Sequence, residues 1–143
     1  MKSVADILRD KVGDVIRIEG DATVFEAVKM MVEANVGALL VTDGDEIVGI
    51  FTERDYLRRI AVEGRRSRTT LVSDVMSAPV ICVTPETGVD ESMALMTDRR
   101  IRHAPVIDGG VLVGMISIGD LVKFKSALQS FEIKYLKDYI TAR

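Results

Sequence analysis

Apolar positions in the first half of this chain change period several times, and each change marks an element. Val24, Ala27, Val28 and Met31 recur on one face at helical spacing while Glu26, Lys29 and Glu33 fall elsewhere, which predicts an amphipathic helix. Thr23 and Glu26 have the capping-box spacing at its start, and Asn35 and Gly37 end it. Residues 38–41 are continuously apolar, the pattern of a strand buried on both faces. Asp43-Gly44-Asp45 supplies turn chemistry, residues 47–51 return as the second strand of a hairpin, and Thr52 caps a helix from 53 to about 62. Upstream, Ser3 fits the cap of a short helix carrying Val4, Ile7 and Leu8 on one face, and residues 15–18 form a short strand broken by Glu19-Gly20-Asp21. The order strand, helix, strand, strand, helix is thereby predicted for residues 15–62.

The pattern is then used again. Gly49, Thr52 and Asp55 recur 65 positions later as Gly114, Ser117 and Asp120, and the same offset pairs Val24 with Val89, Met31 with Met96, Val41 with Val106 and Asp43-Gly44 with Asp108-Gly109. Such a register is an internal repeat rather than an accident of composition. The opening helix repeats at a different offset: Asp6-Ile7-Leu8 is echoed by Asp74-Val75-Met76, 68 positions on. The second copy predicts a strand over 80–83, a loop and helix over 85–98, a hairpin from 104–107 and 111–116, and a helix from 119 to 124. The resulting boundaries are residues 3–63 for the first repeat, 64–70 for a basic linker, 71–124 for the second repeat and 125–143 for a C-terminal amphipathic helix. An apolar stripe of Phe124, Leu128, Phe131, Tyr135, Leu136 and Ile140 runs from the end of the second repeat along that last helix and calls for a surface to cover, a second subunit by preference. A chain of 143 residues supports one shared core, whereas half of it alone is marginal.

Composition narrows the function. A formal net charge of −3 and the absence of a uniformly basic helix argue against nucleic acid as a partner. The first ten residues lack the apolar core of a signal sequence, and no run approaches the length of a membrane span. Cys82 is the single cysteine, so an intrachain disulfide is impossible and a reducing, cytoplasmic location fits. His103 is the single histidine, which weakens a metal site or a catalytic triad. It reads equally as a structural residue at a strand entry or as a ligand contact.

Chemistry concentrates at the repeated stretch. [Ser/Thr]-x-x-Asp is itself a helix-start signature, with both side chains engaged in capping. In each copy, however, a glycine lies within the strand three residues before the hydroxyl, a position that marks close approach by another group. A hydroxyl at a helix start suits a phosphate, and a carboxylate one turn on suits the hydroxyls of a ribose. One occurrence alone favours the capping reading, but the glycine context shared by both copies shifts the balance to a nucleotide half-site in each.

The doubled pattern hydrophobic-Gly-hydrophobic-x-[Thr/Ser]-x-x-Asp after a hairpin, with Arg102-His103-Ala104-Pro105-Val106-Ile107-Asp108 before the second copy, resembles a tandem pair of cystathionine β-synthase (CBS) domains of the stand-alone bacterial regulatory type. The likeness covers roughly residues 3 to 124. It implies an α/β (α+β) fold of two β-α-β-β-α repeats related by a pseudo-twofold axis, with two clefts that take adenosine compounds, and a further association into a flat homodimer. One cleft is implied to use Ser117 near phosphate, Asp120 on ribose, Met115 beside the base, Arg102 and His103 near the phosphates, and Ile16, Val36, Gly37 and Ala38 as its wall. The other is implied to use Thr52, Asp55 and Ile50 with Ile81, Ile101 and Arg102, and Arg54 as a further phosphate ligand. Because Gly37-Ala38 stand where the second copy has Arg102-His103, the Ser117/Asp120 side is expected to bind more tightly or to take a more highly phosphorylated ligand. Whether Lys11, Arg17 and Arg54 reach the clefts is left open.

The implied function is a regulatory module, not an enzyme, that binds AMP, ATP or NAD, requires no cofactor or metal, and transmits occupancy to a partner protein. The alternatives are a structural dimerisation unit with vestigial clefts and a nucleotide hydrolase, the latter disfavoured by the lack of a poised base or a Walker-type phosphate loop.

Overall fold

The 65-residue register of the sequence is also the register of the hydrogen bonds. The computed structural model describes residues 2–11 and 13–128. In chain order the elements are α1 (Val4–Asp10), β1 (Arg17–Glu19), α2 (Val24–Ala34), β2 (Ala38–Asp43), β3 (Glu46–Thr52) and α3 (Glu53–Asp55), continued by a π-helical segment, Tyr56–Ala61. There follow α4 (Val72–Val75), α5 (Val89–Arg99), β4 (His103–Asp108), β5 (Val111–Ser117) and α6 (Ile118–Leu128).

These elements form two compact units, residues 13–82 and residues 2–11 with 83–128. The opening helices of the two repeats are therefore exchanged. Helix α1, first in sequence, packs in the unit that carries the body of the second repeat, and α4 packs in the unit that carries the body of the first.

In the 13–82 unit, β1 runs parallel to β2 and β2 antiparallel to β3. The core gathers Ile18, Val24, Ala27, Met31, Leu39, Val41, Phe51, Ile60, Val72 and Val75. The other unit assembles its core from the matching positions: Val83, Val89, Met96, Ala104, Val106 and Ile116, with Val4 and Ile7 from α1 and Leu121 from α6. Each fully buried Val, Leu or Phe contributes roughly 2 kcal/mol through removal of apolar surface from water.

Capping is divided between the copies. Thr23 accepts a hydrogen bond from the Glu26 amide at 3.2 Å, and at the matching place the Gly88 amide donates to Glu91 at 3.3 Å, so each repeat keeps one half of the box. Helices α2 and α5 each end on a left-handed residue, Asn35 (φ 54°) and Arg100 (φ 56°). Asparagine suits that conformation, whereas Arg100 adopts it at a cost of roughly 1 kcal/mol.

One element predicted by the repeat is reduced. The strand expected over 80–83 is a single parallel bridge, Val83 to Val106, the counterpart of Ile18 paired with Val41. Two prolines account for this. In the first copy the ladder is flanked by the Leu40 amide donating to Ile16 O at 3.1 Å and the Gly20 amide donating to Thr42 O at 3.0 Å. The residues in those places are Pro105 and Pro85, which have no N–H to donate. Only the two bonds of Val83 itself survive, its amide to Pro105 O at 3.0 Å and its carbonyl from the Ile107 amide at 2.9 Å.

The basic stretch 64–70 is fastened to α2. The Val24 amide donates to Thr70 O, the Phe25 amide to Ser67 O, and Arg68 lies 3.9 Å over the Phe25 ring. Of the C-terminal apolar stripe, Phe124 is partly buried against the core of its own unit, and Phe131, Tyr135, Leu136 and Ile140 lie outside the described residues.

Candidate functional site

Each unit brings its hydroxyl and carboxylate to the junction where the hairpin's second strand enters a helix. In the 13–82 unit, Ala38 pairs with Thr52 and the Glu53 amide donates to Gly37 O at 3.1 Å. In the other, His103 pairs with Ser117 and the Ile118 amide donates to Arg102 O at 2.8 Å. The register thus places Gly37, Ala38, Thr52 and Asp55 together in one unit, and Arg102, His103, Ser117 and Asp120 together in the other. Val36 and Ile101 stand at equivalent helix exits, their amides donating to Met31 O and Met96 O. Ile16 flanks β1 through its carbonyl. Arg54 and Arg102 are exposed, while Ile81, Ile101 and His103 are half-buried.

The hydroxyl and carboxylate cap these helices in both copies. Asp55 Oδ2 accepts from the Thr52 amide at 3.0 Å and from the Thr52 hydroxyl at 3.1 Å, and Thr52 Oγ1 accepts from the Asp55 amide at 3.1 Å. Asp120 Oδ2 accepts from the Ser117 amide at 2.8 Å, and Ser117 Oγ accepts from the Asp120 amide at 3.0 Å. The glycine that precedes each motif does mark a close approach, but by a protein side chain. A Cβ on Gly49 would lie 2.5 Å from Met76 Sδ and 3.0 Å from the Ser77 carbonyl oxygen, and one on Gly114 would lie 2.7 Å from Leu8 Cδ2. Met76 and Leu8 are the matching residues of the exchanged segments, 68 positions apart.

Those segments also close the two junctions, each by a different means. In the 13–82 unit, Ser77 exchanges backbone hydrogen bonds with Ile50 (3.0 and 2.8 Å), and its hydroxyl donates to Asp55 Oδ1 at 2.9 Å. Asp55 is left 7% exposed with both oxygens engaged, and Ile50, expected beside a base, is buried with its amide and carbonyl paired. In the other unit a single flexible side chain does the work. The Lys11 ammonium donates to Met115 O at 2.6 Å and to Asp120 Oδ2 at 2.7 Å. The Asp120 side chain is 26% exposed, and its Oδ1 has no hydrogen bond among the described residues. Burial opposes ionisation of Asp120 most strongly, but the Lys11 ammonium and the Ser117 amide together outweigh it and hold the carboxyl below its ordinary value.

Sequence reading left open whether Lys11 reaches a cleft and did not name Ser77. The change of offset from 65 to 68 separates each opening helix from the body of its repeat without saying which body it joins. Among the described residues no group of three or more His, Cys, Asp or Glu side chains could hold a metal ion, and no helix is long and apolar enough to cross a membrane. Burial holds the Cys82 thiol above its ordinary value, the opposite of an activated nucleophile.

A family model, CBS domain, matches residues 4–62 and 72–127. The CBS domain-containing protein CBSX3, mitochondrial, of Arabidopsis thaliana is 44% identical over 96% of this chain and 71% of its own length. The structure of a candidate signal-transduction protein with CBS domains from Burkholderia ambifaria MC40-6 superposes with a TM-score of 0.86 at 48% identity, covering 88% of this chain and 95% of that one. A hexameric CBS-CP12 protein from bloom-forming cyanobacteria superposes with a TM-score of 0.80 at 32% identity, covering 99% of this chain and 86% of that one.

Proposed function

The chain belongs to the CBS domain family and carries two copies of the domain, and from that premise we propose that it is a regulatory module that binds an adenine nucleotide, AMP, ATP or NAD, and passes its occupancy to a partner protein. Proteins built on paired CBS domains are commonly regulatory or signal-transduction modules. The observation that carries the nucleotide reading is the cluster of Arg102, His103, Ser117 and Asp120 that the β4–β5 register assembles at the start of α6. It combines two groups able to serve phosphate, a hydroxyl at a helix start, and a carboxylate able to accept from sugar hydroxyls.

The two sites differ in what a ligand must displace. At Asp55 it must separate a buried carboxylate from a hydroxyl and a backbone pair, whereas at Asp120 it must move one lysine side chain. The Asp120 site is therefore the principal one. We place the protein in the cytoplasm, where a lone exposed Cys82 stays reduced. We assign it to a homodimer or a larger self-assembly, for which the hexameric relative is support. Catalysis is not part of the proposal, because the carboxylates at these junctions are tied to capping partners rather than poised against a nucleophile.

Isothermal titration calorimetry with AMP, ATP and NAD tests this. Binding of at least one at millimolar concentration or below is expected, weakened about tenfold or more in Asp120→Ala, with thermal unfolding confirming that the variant is folded. Indifference to all three favours the second reading, a dimerisation unit in which the [Ser/Thr]-x-x-Asp motifs serve only as caps. The complete capping geometry of both copies is the observation on its side.

A further inference from the structure

The Lys11 ammonium sits on two acceptors, Met115 O at 2.6 Å and Asp120 Oδ2 at 2.7 Å. These are the atoms that the nucleotide reading assigns to the neighbourhood of a base and to a ribose. Any ligand whose hydroxyl or amine donors use them competes with the lysine. At the equivalent place in the other unit the acceptors are taken by Ser77, which is neutral and held by its own backbone.

We propose that Lys11 is the specificity-determining residue of the Asp120 site, making it select phosphorylated ligands over neutral nucleosides. The inference rests on the nucleotide-binding reading above and extends it to a residue outside the repeated motif. A neutral nucleoside that takes Asp120 Oδ2 breaks an ion pair and leaves the ammonium no replacement partner but water. A nucleotide breaks the same pair but brings an anion within the same site, and the lysine side chain, 37% exposed and carried on a four-carbon stem, is free to follow it. The discrimination arises from the cost imposed on the wrong ligand as much as from attraction to the right one.

Calorimetry of AMP and adenosine against the full chain, as wild type, Lys11→Met and Lys11→Arg, tests this. In Lys11→Met the preference for AMP over adenosine is expected to fall about tenfold, the worth of a charge-assisted contact, with tighter adenosine binding supplying much of the change. Lys11→Arg should retain most of the preference. As a measurement that needs no variant, raising the salt concentration on wild type should narrow the gap between the two ligands. If both ligands bind wild type and neither Lys11→Met nor added salt changes their ratio by more than about twofold, the role assigned to Lys11 is overturned while nucleotide binding stands. If neither binds wild type, the nucleotide reading itself has failed and takes the inference with it.

Discussion

At the scale of single residues, Gly49 and Gly114 hold equivalent places but confront different neighbours. A Cβ on Gly49 meets both the Met76 side chain and the Ser77 carbonyl oxygen at 3.0 Å, whereas one on Gly114 meets only Leu8 side-chain atoms. A side chain can rotate away, but a backbone carbonyl that also accepts the Ile50 amide cannot. Gly49→Ala is therefore expected to destabilise the fold by about 2 kcal/mol, and Gly114→Ala by about 1 kcal/mol or less. Urea unfolding of the two variants checks the order, and equal costs would contradict it. Sequence alone located both glycines and anticipated a close approach. It could not identify the approaching group, because Met76 and Leu8 belong to segments packed by the exchange of α1 and α4.

At the scale of elements, carboxylates fasten several ends. Asp6 accepts from the Ser3 amide at the start of α1, and Glu19 at the end of β1 accepts from the Thr42 hydroxyl at 2.6 Å and the Gly44 amide at 3.0 Å. Asp120 closes the start of α6 with help from Lys11. All three carboxyls are held below their ordinary values: Asp6 first by the Ser3 amide, Glu19 first by the Thr42 hydroxyl, and Asp120 by Lys11 and the Ser117 amide against the larger opposing effect of burial. A carboxyl lowered in the folded state stabilises fully above its unfolded value, 3.8 for aspartate and 4.5 for glutamate, and that contribution is lost as pH falls through the lower folded value. Stability should thus be flat near neutrality and decline below about pH 4.5. In Asp120→Asn the decline should be shallower, because one titrating group is gone. Denaturant midpoints measured at neutral and acid pH decide the point, and an unaltered acid slope would remove Asp120 from the account. The elements themselves were largely legible in the sequence: α2, β2, β3, α5, β4 and β5 follow from periodicity and turn residues. The predicted strand over 80–83 was not, since recognising its loss requires knowing that Pro85 and Pro105 occupy the donor positions of a ladder.

At the scale of the molecule, the exchange of opening helices makes the N-terminal segment part of the unit that follows Cys82. Val4 and Ile7 are buried in that core, and the Val4 and Ala5 amides donate to Thr87 O and Pro85 O. Removing residues 2–11 should therefore unprotect amides within 83–128 and leave those of 13–82 close to their original exchange. Hydrogen exchange followed by mass spectrometry reads this directly, and loss of protection confined to 13–82 would contradict the packing.

By itself the sequence determined the repeat, the family, the α+β succession of elements and the positions of Thr52, Asp55, Ser117 and Asp120, because helical and strand periods, turn chemistry and a constant offset are properties of neighbouring residues. Only the tertiary structure decided what meets those positions. Lys11 reaches Asp120 across 109 residues and Ser77 reaches Asp55 across 22. Such partners are fixed by which core each short helix fills, a choice settled by packing over the whole unit and not by any local pattern.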